Sequence, residues 1–191
     1  MSLYSALHSA IQIFYNGHAH WVATFFDGNE LFLFDSLTHD VLPSSLEEQI
    51  AAVYANCCSK DGLLMITSVG VQQQKGMMDC GLFAITFAYH SAQGDNVSRL
   101  EFDQPRMRQH LLDCFQSEEL KPFPMTTAKP QKRRSKHIFI HLHCTICLMP
   151  DSYDVKMIEC DVCAKWFHFK CVGLKRKRLK RWVCSRCCCR M

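Results

Sequence analysis

Nine of the chain's 13 cysteines fall after residue 143, and eight Cys and His residues there keep fixed intervals. The pattern is C-x2-C-x12-C-x2-C-x4-H-x2-C-x12-C-x2-C, formed by Cys144, Cys147, Cys160, Cys163, His168, Cys171, Cys184 and Cys187. Zinc takes four nitrogen or sulfur ligands in a tetrahedron, and a C-x2-C turn presents two sulfurs to one ion. Eight ligands therefore make two zinc sites. A segment of 48 residues, 144–191, has too little core to fold alone, so metal binding must supply much of its stability. His141, His143, Cys188 and Cys189 are ligands by type but fall outside the spacing.

Cys80 stands apart from this set, inside QQQKGMMDCGLFAI (72–85), at the start of an apolar helical run. The open N–H groups and dipole at such an end stabilise a thiolate. Gly81 allows a substrate backbone to approach closely. A nucleophilic thiolate needs a base and a group that orients the base. His20 lies at the edge of the run HWVATFF, and Asp35 ends LFLFD. If these runs are neighbouring hairpin strands, the two side chains face one another at one end. An oxyanion can be held by a side-chain amide. Gln74, six residues before Cys80, has the fitting spacing, with Gln72 and Gln73 as competitors, and His18 competes with His20. Cys57, Cys58 and Cys114 read as structural. Such thiol chemistry calls for no cofactor.

The elements that must position these groups are legible in outline. IQIFY, HWVATFF and ELFLFDSL are apolar and aromatic runs broken by Asn16-Gly17 and Asp27-Gly28-Asn29, which predicts a strand meander. PSSLEEQIAAVYAN (43–56) predicts a capped helix, LLMITSV (63–69) a buried strand, and GLFAITFAYHSA (81–92) an apolar helix closed by Gln93-Gly94. DQPRMRQHLLDCFQS (103–117) predicts an amphipathic helix. KPFPMTTAKPQKRRSK (121–136) has three prolines and a cation cluster without apolar periodicity, and reads as a linker. The fold class is α+β, with a domain over 1–120, a basic linker over 121–140 and a zinc module over 141–190.

Composition bounds the function. An apolar fraction of 48% with 21% charged residues is that of a globular chain. No apolar run approaches the roughly 20 residues of a membrane span. The N-terminus lacks a basic n-region and a cleavage site, so an intracellular location is expected, where cysteines serve as metal ligands or reactive thiols. The net charge of +4 divides into −8 over residues 1–128 and +12 over 129–191, which indicates two units with different partners. The runs KRRSK (132–136) and KRKRLKR (175–181) are solvated surface, nuclear-import signals or weak nonspecific contacts with nucleic-acid phosphates.

The ligand order of four cysteines, one histidine and three cysteines, with Trp182 two residues before the seventh ligand, resembles the plant homeodomain (PHD) finger. A RING finger usually has histidine as its fourth ligand, and here that ligand is Cys163. The resemblance implies cross-braced sites, with Cys144, Cys147, His168 and Cys171 on one zinc and Cys160, Cys163, Cys184 and Cys187 on the other. It also implies recognition of the histone H3 tail. DSYDVKMIECDVCAKWFHFKCVGL is similar to methyl-lysine readers, which gives Trp166, Tyr153 and Met157 as walls of an aromatic cage. Glu159 and Asp161 would pair with basic residues of the peptide. Phe167 and Phe169 are expected in the core.

His20-Trp21, Asp35-Ser36, Gln74 and Asp79-Cys80-Gly81, in that order, resemble the ubiquitin-like-protein-specific (SUMO) proteases, related to the adenoviral protease, over about residues 11–115. The resemblance implies a papain-like cysteine (iso)peptidase that cuts after a Gly-Gly-like C-terminus of a SUMO-like modifier or a precursor. His20 would be the base, Asp35 its orienter, Cys80 the nucleophile, Gln74 the oxyanion donor and Trp21 a wall of the substrate channel. Family domains carry well over 19 residues before their histidine, so this one is expected to be incomplete at its N-terminus. Two alternatives keep the same residues: an inactive remnant beside a working histone reader, and acyl transfer through the same thioester. A protease of this type joined to a PHD finger also resembles the ends of reading frames in some DNA transposons. A nuclear location follows from these resemblances, with no membrane partner.

Overall fold

The two turn signals close successive antiparallel pairs. In the computed structural model, residues 9–37, 42–59, 62–127, 132–141, 144–147, 149, 156–175 and 181–189 are described. Strands β1 (Ala10–Tyr15), β2 (Trp21–Phe26) and β3 (Leu31–Phe34) form the expected meander, with Tyr15 opposite Trp21 and Ala23 opposite Phe34. Gly17 and Gly28 have φ of 81° and 101°, a conformation that costs glycine little and other residues much. Helix α1 (Ser44–Tyr54) separates β3 from β4 (Leu63–Val69), as a parallel pairing of those strands requires. Strand β5 (Lys136–His141) completes a sheet of order β1-β2-β3-β4-β5.

The chain divides into two compact units, one of Ala6–Leu46 with Met65–Ile138 and one that includes Glu47–Leu64 with Phe139–Met191. In the first, α2 (Cys80–Ala92) packs against β2 and β1. Its sequence is apolar nearly all round, and Leu82, Phe83, Ala84 and Phe87 are all buried. Phe87 is the hub: its ring lies 5.5 Å from Phe83, 6.1 Å from Phe34 and 6.2 Å from Phe102. Burying one such side chain contributes about 1.5–3 kcal/mol. Helix α3 (Gln104–Ser117) starts with Pro105 in its first turn, where a missing N–H costs nothing, and adds Met107 to the same core.

Segment 121–140 differs from the expected linker. Phe123 is fully buried in the core, and Met125 bridges to Phe102. Arg133 pairs with Glu101 at 2.7 Å, both largely buried, and the Gly70 N–H donates to Ser135 Oγ at 3.1 Å. A Cβ on Gly70 would meet the Arg133 backbone at 2.7 Å, so glycine is what lets this segment lie against the end of β4. Prolines and cations hide the apolar anchors Phe123 and Ile140 in the sequence, and an edge strand tolerates such charge.

In the second unit, α1 turns Ile50, Ala51 and Tyr54 to the interior at helical spacing. The zinc module contributes a two-stranded ribbon, β6 (Met157–Glu159) and β7 (Trp166–His168), and one turn of helix, α4 (Ser185–Cys188). Its core is small: Ile158, Phe167 and Phe169 with Cys160 and Cys184. Phe167 and Phe169 are buried as expected, and Trp182 stacks edge-on against Phe167 at 5.3 Å. Among the described residues no helix is long and apolar enough to cross a membrane.

Candidate functional site

The ribbon and the cysteine turns converge the eight ligands into two clusters. Cys144, Cys147, His168 and Cys171 form one, and Cys160, Cys163, Cys184 and Cys187 the other, with the ligand atoms of each within 4.8 Å of one another. Zn–S bonds of 2.3 Å in a tetrahedron set the sulfurs about 3.8 Å apart. Cys163 and Cys184 Sγ are 3.9 Å apart, and His168 Nδ1 lies 3.2 Å from Cys147 Sγ and 3.9 Å from Cys171 Sγ. The donor sets therefore fit two zinc ions, with His168 binding through Nδ1.

The electrostatics of the clusters suit a divalent cation. The His168 N–H donates to Cys144 Sγ at 3.4 Å, and the Cys184 N–H to Cys160 Sγ at 3.3 Å. Burial opposes ionisation of Cys160, but the N–H groups of Cys184, Cys163 and Val162 outweigh it and hold the thiol down at about 6. Cys144 is lowered in the same manner, against burial, by the N–H groups of Cys147, His168 and Ile146. Burial then pushes Cys147 up to about 12, reinforced by Cys144 and Cys171, and Cys187 up to about 12, reinforced by Cys184, Cys163 and Cys160. One thiolate in each cluster is thus favoured and the next resisted, a balance that a bound cation shifts toward full ionisation.

On the ribbon, Ile158 and Phe167 face inward, while Glu159 lies directly across from Trp166 on the other face. Trp166 is 43% exposed, unlike the buried aromatics beside it, and Met157 shares its face two register positions along. The Asp161 carboxylate accepts the Trp182 N–H and so fastens the module internally. Tyr153 lies outside the described residues, as do His143 and most of the run 175–181.

The first unit brings the dispersed residues together. His20 Nε2 is 2.7 Å from Asp35 Oδ1, and His20 is buried. The Asp35 carboxylate also accepts the Leu37 N–H at 2.8 Å. Cys80 opens α2, and its thiol points at the Ala19 carbonyl, 3.8 Å away, next to His20 in the chain. The Trp21 indole stands over Gly81, within 3.7 Å of where a Cβ would be, and packs on Tyr15 with ring centroids 4.9 Å apart. His18 remains exposed, and its N–H donates to Asn16.

The glutamine run is a set of fasteners. Gln72 forms a reciprocal pair with the Phe102 backbone, donating to its carbonyl at 3.0 Å and accepting its N–H at 2.6 Å. Gln73 donates to the Asp35 carbonyl at 3.1 Å. Gln74 is buried; its Oε1 accepts from the Ser36 hydroxyl at 2.8 Å and its Nε2 donates to the Gly76 carbonyl at 2.8 Å. Sequence reasoning missed several partners here. Asn16, read only as a turn residue, accepts the His18 and His20 N–H groups through Oδ1 and fixes the loop that delivers His20. Within that loop Ala19 has φ of 59°, a strained conformation for a residue with a Cβ. Gln104 and Arg108 were equally silent, and Ser36 entered only as the residue after Asp35; the tertiary fold gives all three their partners.

The PHD-finger family model matches residues 144–187. No curated protein and no solved structure matches the chain. The C-terminal module thus carries a PHD finger whose two Cys/His clusters can hold two zinc ions.

Proposed function

We propose that this chain is a chromatin-binding protein whose PHD finger takes the N-terminal tail of histone H3. The observation that carries the reading is the PHD match over 144–187 together with the exposed Trp166, on the same face as Glu159 and Met157. An exposed indole attracts an alkylammonium through its π face, and Glu159 supplies charge for a basic peptide. A nuclear location goes with this reading. Isothermal titration of the zinc-loaded chain with H3-tail peptides, carrying either free or trimethylated lysine, tests it. Saturable binding that falls about tenfold or more in Trp166→Ala supports the assignment, and binding indifferent to Trp166 removes it from the site.

A second reading, a cysteine-type (iso)peptidase for SUMO-like modifiers or precursors, is favoured by the His20–Asp35 pair and by the Cys80 thiol, 3.8 Å from the carbonyl of Ala19, the residue before His20. Because Nε2 of His20 faces Asp35, the base in this scheme is Nδ1. It takes the Cys80 proton, the thiolate attacks the scissile carbonyl, and the leaving amine departs with that proton. Water, deprotonated by His20, then releases the acid and regenerates the thiol. Amide donors near Cys80, with Gln74 as the side-chain candidate, would hold the oxyanion. SUMO and ubiquitin probes with C-terminal electrophiles test this reading. Labelling lost in Cys80→Ala supports it, while a folded chain that no probe labels leaves the histone-binding reading alone.

A further inference from the structure

Asp79 occupies the N-cap position of α2, where a carboxylate ordinarily accepts the first free N–H groups of the helix. Here it makes no such bond. Its Oδ1 takes Arg108 Nη2 at 2.6 Å and its Oδ2 takes Gln104 Nε2 at 2.7 Å, both from the first turns of α3. Gln104 also accepts the Lys75 N–H at 2.8 Å and donates to the Lys75 carbonyl at 2.9 Å. The clip mirrors the one that Gln72 makes on Phe102, so the two chain segments are stitched in both directions. Between Lys75 and Asp79 the loop presents Met77 and Met78 largely to solvent. The loop is thus anchored at its ends by α3, immediately before Cys80.

The chemical consequence concerns the end of the helix. Negative charge at an N-terminus is stabilised by the open N–H groups, and a capping carboxylate would take those groups first and add its own repulsion. We propose that Gln104 and Arg108 are positioning residues that hold the Asp79 carboxylate away from the α2 terminus, reserving that terminus for negative charge on Cys80 and on a bound substrate carbonyl. This inference rests on the peptidase reading.

The experiment measures the rate of iodoacetamide modification of Cys80 in the full zinc-loaded chain, followed by peptide mass spectrometry. Arg108→Ala frees the carboxylate and should slow modification roughly five-fold, the size of one charge at a helix end. Arg108→Lys should recover most of the rate. In an Asp79→Ala background, Arg108→Ala should have no further effect, because no carboxylate is left to swing onto the helix; a merely structural role for Arg108 would add its loss in either background. Gln104→Ala should behave as Arg108→Ala does. A wild-type rate that does not fall in His20→Ala overturns the peptidase reading and the inference together. A His20-dependent rate that Arg108→Ala leaves unchanged, or slows equally without Asp79, overturns the inference alone.

Discussion

The zinc finger and the Cys80 region solve the same problem, bringing side chains together from separate points of the sequence, in opposite ways. The finger draws its eight ligands from 44 consecutive residues, 144–187, with little apolar core behind them. The Cys80 cluster draws His20, Asp35, Gln74 and Cys80 from across 61 residues, and it rests on a phenylalanine-rich core and on amide fasteners. In the first, a metal does the organising; in the second, the fold does. That contrast explains why one site is written in its spacing and the other only in its order.

Chelation should break the comparison most visibly. Structural zinc contributes on the order of 10–16 kcal/mol to such modules, so removal of both ions should abolish the dispersed NMR signals of residues 156–175 and 181–189. The cooperative melting of the Cys80 unit should remain, since its core holds no metal ligand. Acid should act in the same direction. The Cys160 thiol lies at about 6, below its ordinary 9.0, so its contribution is full above about 9 and is lost as the pH falls through about 6. Protons compete with zinc for the same thiolates, so zinc release to a chromogenic chelator should accelerate as the pH falls.

Phe87→Ala is the complementary perturbation. It removes the hub of the first unit and should cost about 3–5 kcal/mol in denaturant unfolding, with two zinc ions still bound per chain. Asn16→Ala should cost less, about 1–2 kcal/mol, because it orphans the His18 and His20 N–H groups. It should also slow Cys80 modification, which sharpens the claim that the loop delivers His20. Trp166→Ala, a surface change, should shift stability by no more than about 0.5 kcal/mol while removing peptide binding.

The elements of the meander, the helix at 81–92 and the helix at 103–117 were legible because their periods and turn residues agree with their burial. The zinc ligands were legible because metal geometry restricts spacing. Strand β5 was not, because its apolar residues follow a run of cations and its pairing depends on Gly70, far away in the sequence. The glutamine run likewise pointed to one amide role, whereas each of its three side chains ties a different segment. Roles set by a partner 29 or 38 residues away leave no local pattern.

The most direct test is a heteronuclear NMR titration of the zinc-loaded chain with an H3 N-terminal peptide. The account predicts saturable shifts centred on the Trp166 indole N–H and on the backbone of Glu159 and Met157, absent after chelation. A chain holding two zinc ions whose ribbon signals do not move, at peptide concentrations up to about 1 mM, would contradict it.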